Sequence, residues 1–588
     1  MIEANYQLIT TTDSQRAAAT DLSKHQVIGL DTETTDLDPY RGKLRLVQLA
    51  TPDIVYIVDL FAFGDAKQNE DLKPLRDIIN ANRPVKIAHN AKFDAKWLKY
   101  HLGVEVGGIF DTLLSSQVIS SGDTDERHGL EAVVSRYLNE TLDKSQQLSD
   151  WSGALSESQL RYATLDAAVM IPLREKMVER LKAEALIKCA QLEFECVMPM
   201  AGLELAGFFL DAGRWREQLE VVKKERARLA DELQEMLAEG ALQGSLFGRA
   251  EINLDSHTQL RDALKRLGVP LPDSTRNWKL QPLAHQYPVV AKLLEYRTVQ
   301  KALTSYGENI LEEINPRTGR IHADFHQIGA PTGRMACNRP NLQQVPQGVE
   351  YRRCFRAPEG RKLITADYSQ IELRILADFS QDEGFMEAFK SGADLHRTTA
   401  AQVFNVSPEE VTSEQRSFSK RLNFGVVYGI GAPRFATLTG VSIEEAEGMM
   451  RRYFATYPRL DSWLRSAGER AVRERQTRTA SGRLIKFRFD SDDRQQVSAA
   501  RRNGTNAPVQ GSSADIFKRA LHLLHDELRD TSGCLVNVVH DEIVVEADKS
   551  EAEEVAQKVE RSMVAAGEEY VRTVPIKVEA EIKDEWVK

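Results

Sequence analysis

Two spacings of apolar residues alternate through the first third of the chain. Short apolar runs at 27–30, 46–49 and 54–58 have the length of strands, while 71–80 repeats its apolar positions at helical spacing. Strand and helix in alternation predict an α/β domain that ends near Lys188. From Asp211 the texture changes. Trp215, Leu219, Val222, Leu229, Leu233 and Met236 recur every three to seven residues among charges, which predicts a long amphipathic helix. Gly240 to Gly248 interrupt it, and a second long helix is predicted over 288–313. Two such helices around a loop make either a projecting hairpin or part of a compact bundle, and periodicity serves both. From Gly319 onward, strand-like runs at 362–366, 534–539 and 543–546 mix with helical stretches.

A chain of 588 residues exceeds one ordinary domain. With 42% apolar and 28% charged residues it has globular rather than fibrous or disordered usage. There is no run of eighteen apolar residues, and Met1-Ile2-Glu3-Ala4-Asn5 lacks the basic start of a secretory signal. A cytoplasmic protein without a membrane partner is expected. Cys189, Cys196, Cys337, Cys354 and Cys534 are scattered, which predicts neither a zinc knuckle nor a disulfide framework but small buried hydrophobes in a reducing compartment. The net charge of −10, from 77 basic and 87 acidic residues, speaks against a nucleic-acid partner only on average. The window 451–488 holds eleven basic residues against three acids, with Tyr453, Phe454, Tyr457 and Trp463 interleaved. Such a local field attracts a phosphate backbone, although a solvated amphipathic helix has the same pattern. The one Gly-Lys pair, Gly42-Lys43, is followed by Leu44, so there is no P-loop to support a helicase or ATPase.

Acids then decide the chemistry. Asp31 and Glu33 follow directly on a strand, where residues two apart share a face. His89-Asn90-Ala91-Lys92-Phe93-Asp94 adds a third acid after the run 85–87, and Tyr162 and Asp166 share a helix face at i, i+4. Carboxylates gathered in this way suit Mg²⁺ or Mn²⁺, and two such ions serve phosphodiester hydrolysis, with Tyr162 positioning the water. Each segment alone reads first as a strand-end or capping acid. In this order they resemble the DEDDy 3′–5′ exonucleases.

A second set lies downstream. The run 363–366 ends in Asp367, and 538–545 is an apolar hairpin expected to carry Asp541 and Glu542 at its tip, so that two strand ends can present a platform for two ions. Between them Arg416, Lys420, Phe424 and Tyr428 are spaced by four and form one stripe on a helix. Two cations followed by two rings suit a triphosphate followed by a base.

At this point the sequence resembles family A DNA polymerases of the bacterial DNA polymerase I type, with the proofreading domain and without the 5′-nuclease domain. Asp367-Tyr368-Ser369-Gln370-Ile371-Glu372, the 416–429 stripe and His540-Asp541-Glu542 are similar to the family's motifs A, B and C. Thr332-Gly333-Arg334, Leu395-His396-Arg397 and 506–511 support the match. The resemblance implies an RNase H-like α/β exonuclease domain over 1–190 with a mixed sheet. It implies an α+β right-hand polymerase domain over 191–588, with thumb 211–320, palm 321–390 and 490–588, and fingers 391–489. It further implies two Mg²⁺ per active site, with Mn²⁺ as a substitute, held by Asp31, Glu33, Asp94 and Asp166 in one site. In the other they are held by Asp367, Asp541 and the Tyr368 carbonyl, with Glu542 among the catalytic acids. Arg416, Lys420 and His396 would meet the incoming deoxynucleoside triphosphate, Phe424 and Tyr428 the new base pair, and Glu372 the sugar. Arg334, Asn506, Gln510 and His540 would contact primer-template DNA. A monomer is expected, with replisome proteins such as a helicase or single-strand-binding protein as further partners. The segment 214–313 lacks the basic insertion by which some phage enzymes recruit thioredoxin. The end, 582–588, keeps Trp586 but departs from the family pattern, which speaks against a C-terminal role in the site. Ala336 and Cys337 stand where small hydroxyl residues are usual. Two rivals, a nuclease whose second half only grips DNA and a non-catalytic processivity subunit, are disfavoured because neither needs intact carboxylates in both halves.

Overall fold

The computed structural model describes residues 4–121, 123, 125–238, 252–271, 274–346 and 348–587. The first sheet contains β1 (Asn5–Ile9), β2 (Val27–Thr34), β3 (Leu44–Ala50), β4 (Ile54–Asp59), β5 (Val85–Ala88) and β6 (Ile109–Asp111) in the order β1-β4-β3-β2-β5-β6. β2, β3 and β4 run antiparallel, whereas β1 joins β4 and β5 and β6 extend from β2 in parallel. Every residue of β3 is buried, as a central strand covered on both faces requires. Helices cover the sheet on both faces and close the first core.

The two main cores meet along the helices Ile187–Glu195 and Val197–Ala206. Cys189, Ala190, Phe194, Val197, Met198 and Ala201 pack into the first core, and Cys196, Met200 and Leu203 into the second. A cut at residue 190 therefore divides a pair of helices that both halves share.

Beyond β7 (Phe208–Phe209) the helix Ala212–Ala238 runs with Trp215, Leu219, Val222, Leu229, Leu233 and Leu237 buried. Its partner differs from the single helix expected over 288–313. The helix Pro288–Ser305 stops, and a short turn of helix, Asn309–Glu312, follows. Tertiary anchors break it there: Tyr306 is buried and its hydroxyl donates to the Asn341 carbonyl at 2.7 Å, while the Gly307 carbonyl accepts from Trp215 Nε1 at 3.3 Å. The two long helices form a hairpin whose outer part has its own apolar cluster, from Leu229 to Tyr296. The interruption expected at Gly240 to Gly248 lies outside the described residues.

β8 (Arg320–Ile321) pairs with β7, and β9 (Asp324–His326) with β10 (Ala336–Asn338). β11 (Arg361–Tyr368) leads to a helical block from 371 to 474. A ribbon of β12 (Gln476–Arg478) and β13 (Leu484–Lys486) then precedes the helix Arg494–Leu528. β14 (Cys534–Val539), β15 (Glu542–Asp548) and β16 (Val578–Lys583) complete an antiparallel sheet in the order β14-β15-β11-β16. The helices Arg494–Leu528 and Ala552–Tyr570 back it with the largest core of the molecule.

The basic window resolves into an amphipathic helix, Pro458–Glu474, and its flanks. Tyr453 and Tyr457 are fully buried, and Phe454 and Trp463 pack on the core, so these rings are not stacking platforms. Arg483 is buried too, paired with Glu193 and Asp515. The cysteines are all free, four of them buried. Cys337 is fully buried, with Sγ 3.3 Å from the Pro340 carbonyl, which makes it a packing residue rather than a primer contact. No helix among the described residues is long and apolar enough to cross a membrane.

Candidate active sites

The first cleft, 1020 Å³ in volume, is lined by Asp31, Glu33, Asp94, Tyr162 and Asp166 together. β2 supplies Asp31 and Glu33. The helix Glu157–Ala168, opened by a Ser156–Gln159 capping box, lays Tyr162 and Asp166 over them. It comes this close because Gly29 has no side chain: a Cβ there would stand 2.4 Å from the Ala167 carbonyl oxygen. Asp94 rides on the helix Ala91–Trp97 and accepts from Thr32 Oγ1 at 2.6 Å. The helix start is fixed by a buried acid that sequence reasoning missed. Asp111 accepts the Ala91 N–H at 2.7 Å and the Leu114 N–H at 3.0 Å, capping two helices at once.

The four acids repel one another in a poorly solvated place. Burial, then Glu33, Asp166 and Asp94, push the Asp31 carboxyl well above the usual range. Burial and then Asp166 push Glu33 up to about 9. Burial pushes Asp94 up to about 7 and raises Asp166 as well. Burial and the same acids drive the Tyr162 hydroxyl far up, so it stays protonated. Asp166 Oδ1 is buried without a hydrogen-bond partner. Hard anionic oxygens short of cations fit divalent ions. Among the described residues no three such side chains are yet drawn tightly enough together to hold one. A cation stands among them instead: Lys144 Nζ lies 2.6 Å from Asp166 Oδ2. Lys144 carries no periodic or motif signal in the sequence.

The second cleft, 490 Å³, brings Asp367 and Asp541 together with Arg334, Tyr368, Glu372, His396, Arg416, Lys420, Phe424, Tyr428 and His540. Asp367 lies near the end of β11, and the next N–H, that of Tyr368, donates to the Asp541 carbonyl at 3.4 Å, joining the strand end to the β14–β15 turn. That turn is only His540-Asp541, with His540 at φ 58°. Glu542, expected at the tip, is instead the first residue of β15, in register with Asp367, and does not line the cleft. It is buried, accepts from Trp586 Nε1 at 2.5 Å and lies 3.7 Å from Arg352. One expectation is corrected here: Glu542 is held in the core behind the turn, where Trp586 of the C-terminal segment bonds it without lining the cleft.

The stripe is as expected. The helix Ser413–Val427 begins with a Thr412–Gln415 capping box and turns Arg416, Lys420 and Phe424 into the cleft, with Tyr428 just past its end. Arg416 is steadied by Asp394, which also caps the helix carrying His396. Burial, helped by Arg416 and Lys420 against Asp394, lowers His396 to about 4, so it is neutral near pH 7. Its ring lies 5.8 Å from Phe424. Across the cleft Glu372 accepts from Tyr428 Oη at 3.0 Å and from Arg334. Asn506 and Gln510 line an adjoining groove of 590 Å³ that shares Arg334. His540 also borders a groove of 930 Å³ running between the sheet and the helical hairpin.

Residues 219–588 match the sequence model of DNA polymerase family A, and residues 6–182 that of a 3′–5′ exonuclease. The chain is 32% identical to DNA polymerase I of Aquifex aeolicus, aligned over 99% of this chain and all of that protein. It is 31% identical to DNA polymerase I of Pseudomonas aeruginosa over 99% of this chain and 66% of that protein. A solved structure, the POL domain of Pol1 from M. smegmatis in complex with DNA primer-template and dNTP, superposes with a TM-score of 0.84 at 27% identity. That superposition covers 98% of this chain and 99% of the other.

Proposed function

Because the chain belongs to DNA polymerase family A and carries a 3′–5′ exonuclease domain, we propose that it extends a primer on a DNA template in the second cleft and removes 3′-terminal nucleotides in the first. One observation carries the assignment. A single cleft sets two acids from the ends of paired strands opposite a helix stripe of two cations and two rings.

Asp367, Asp541 and the Tyr368 carbonyl would hold two Mg²⁺, with Mn²⁺ as a substitute, and Asp31, Glu33, Asp94 and Asp166 would hold two more. Bound there, the ions supply charge that lowers the pKa of an attacking oxygen and takes up charge on a leaving one. The rest falls to the chain. Arg416 and Lys420 neutralise the triphosphate of a deoxynucleotide, and neutral His396 lies beside them without adding a charge. Phe424 and Tyr428 cover the base. Arg334, Asn506, Gln510 and His540 line the openings through which primer and template would reach the acids. Glu542 positions the turn that presents Asp541. In the first cleft, the protonated Tyr162 hydroxyl orients water toward the scissile phosphate. Both sites come from one chain, so action as a monomer in the cytoplasm belongs to the proposal. A role in replication or repair, with replisome proteins as partners, is consistent with it. The direct test is addition of a single nucleotide opposite each templating base: only the complementary one should be added, and indifference to the template would defeat the assignment.

Glu372 is fixed from both sides, by Arg334 and Tyr428, where a sugar would lie. Glu372→Ala is expected to raise ribonucleotide relative to deoxynucleotide incorporation at least several-fold, measured by competition on one primer. An unchanged ratio in an active variant would make Glu372 only a tether for Arg334 and Tyr428.

Phe424 lies one turn beyond Lys420, half-buried against His396, and offers a sugar no polar group. Phe424→Tyr adds a hydroxyl that can replace the contact a dideoxynucleotide lacks. A net hydrogen bond of roughly 0.5–1.5 kcal/mol corresponds to about two- to tenfold in selectivity. Discrimination against the dideoxynucleotide should fall by that factor while ordinary extension survives. A general loss of activity would instead indicate an overpacked core ring.

A further inference from the structure

The lysine in the first cleft is not accounted for by the acids' assigned work. Lys144 belongs to the connection between the helices Leu130–Leu138 and Glu157–Ala168. Its Nζ reaches to 2.6 Å from Asp166 Oδ2 and 3.4 Å from Tyr162 Oη, and lies 5.1 Å from the centre of the Tyr162 ring. Its side chain is 21% exposed against 7% for Asp166, so the charge enters from the solvent edge onto a buried carboxylate. The other oxygen of that carboxylate is buried without a hydrogen-bond partner. The same cleft is lined by Asp31, Glu33 and Asp94. A lysine is suited to temporary occupancy, being a compact charge on a flexible stem that can swing back to water.

We propose that Lys144 is the resident counter-ion of the exonuclease acids. It holds Asp166 until a divalent ion takes that carboxylate, so the ion binds in competition with a side chain. The proposal rests on the assignment of Asp31, Glu33, Asp94 and Asp166 as the metal-holding set. Its consequence is local to the first cleft: degradation responds to the divalent-ion concentration through the displacement of Lys144 from Asp166.

The test uses the full chain with Asp367→Ala and Asp541→Ala, so that Mn²⁺ binding reports the exonuclease acids, followed by calorimetric titration. Adding Lys144→Met should tighten Mn²⁺ binding by about tenfold, equivalent to 1.4 kcal/mol. Lys144→Arg, which keeps the charge, should stay near the parent. Binding equal to or weaker than the parent's in the folded Lys144→Met protein would overturn the proposal while leaving the metal-holding set intact. Mn²⁺ binding that Asp31→Ala with Glu33→Ala fails to diminish would overturn the set, and the proposal with it. In the chain with an intact polymerase site, Lys144→Met should lower the Mg²⁺ needed for half-maximal degradation and leave that for extension where it was. A shift in both would count against a local counter-ion.

Discussion

Asp541→Ala is expected to abolish primer extension and leave 3′–5′ degradation unchanged. Asp541 sits in a two-residue turn between β14 and β15, where the strand end carrying Asp367 meets it through the Tyr368 N–H. Removing Asp541 leaves Asp367 as the one carboxylate of the strand-end pair. A loss of about a thousandfold or more, roughly 4 kcal/mol in the barrier, is the scale such a change implies. The fold should tolerate it. Asp541 is not among the buried residues, whereas the apolar residues around it, Val538, Val539 and Ile543, keep their places in the core. Degradation should be spared because its acids lie on β2 and on helices packed around the first sheet, in another core. Loss of both activities in a variant with an unaltered melting temperature would mean that the two clefts are not independent.

Asp31→Ala with Glu33→Ala is the converse, expected to remove degradation by about a thousandfold or more while extension continues. It carries a second expected result, in stability. Glu33 would ionise near 4.5 in the unfolded chain but keeps its proton up to about 9 in the fold, because of burial and then Asp166. The folded state thus binds more protons than the unfolded one between those values, so the metal-free domain loses stability as pH rises from about 4.5 to 9. The double variant lacks this loss. Without divalent ions it should melt higher than the parent at alkaline pH, with the difference shrinking toward acid. A lower melting temperature throughout would show that these acids support the fold rather than burden it.

Much of this was legible because the chemistry sits on regular elements. Asp31 and Glu33 could be paired from the two-residue period of a strand, and Arg416, Lys420, Phe424 and Tyr428 from the helical period. Both predictions hold in the clefts. What could not be read depends on packing between distant segments. Lys144 lies in an irregular connection, so nothing local aims it at Asp166, 22 residues on. Glu542 looks identical in sequence whether it faces the cleft or the core, and the choice was made by Trp586, 44 residues away. The helix expected over 288–313 breaks because Tyr306 and Gly307 are bonded to Asn341 and Trp215, a tertiary demand that overrides periodicity. The aromatics of the basic window were equally ambiguous until burial placed Tyr453 and Tyr457 inside.

The central claim is that one chain both lengthens and shortens a primer, from two acid sites that need divalent ions. It is tested most directly by giving the purified chain an end-labelled primer on a DNA template with Mg²⁺, with and without the four deoxynucleoside triphosphates, and again with the ion chelated. The primer should lengthen to the template end when nucleotides are present, shorten from its 3′ end when they are absent, and stay unchanged under chelation. Shortening in both mixtures would leave a nuclease that merely grips DNA, and an unaltered primer in all three would leave a binding subunit; either result contradicts the account.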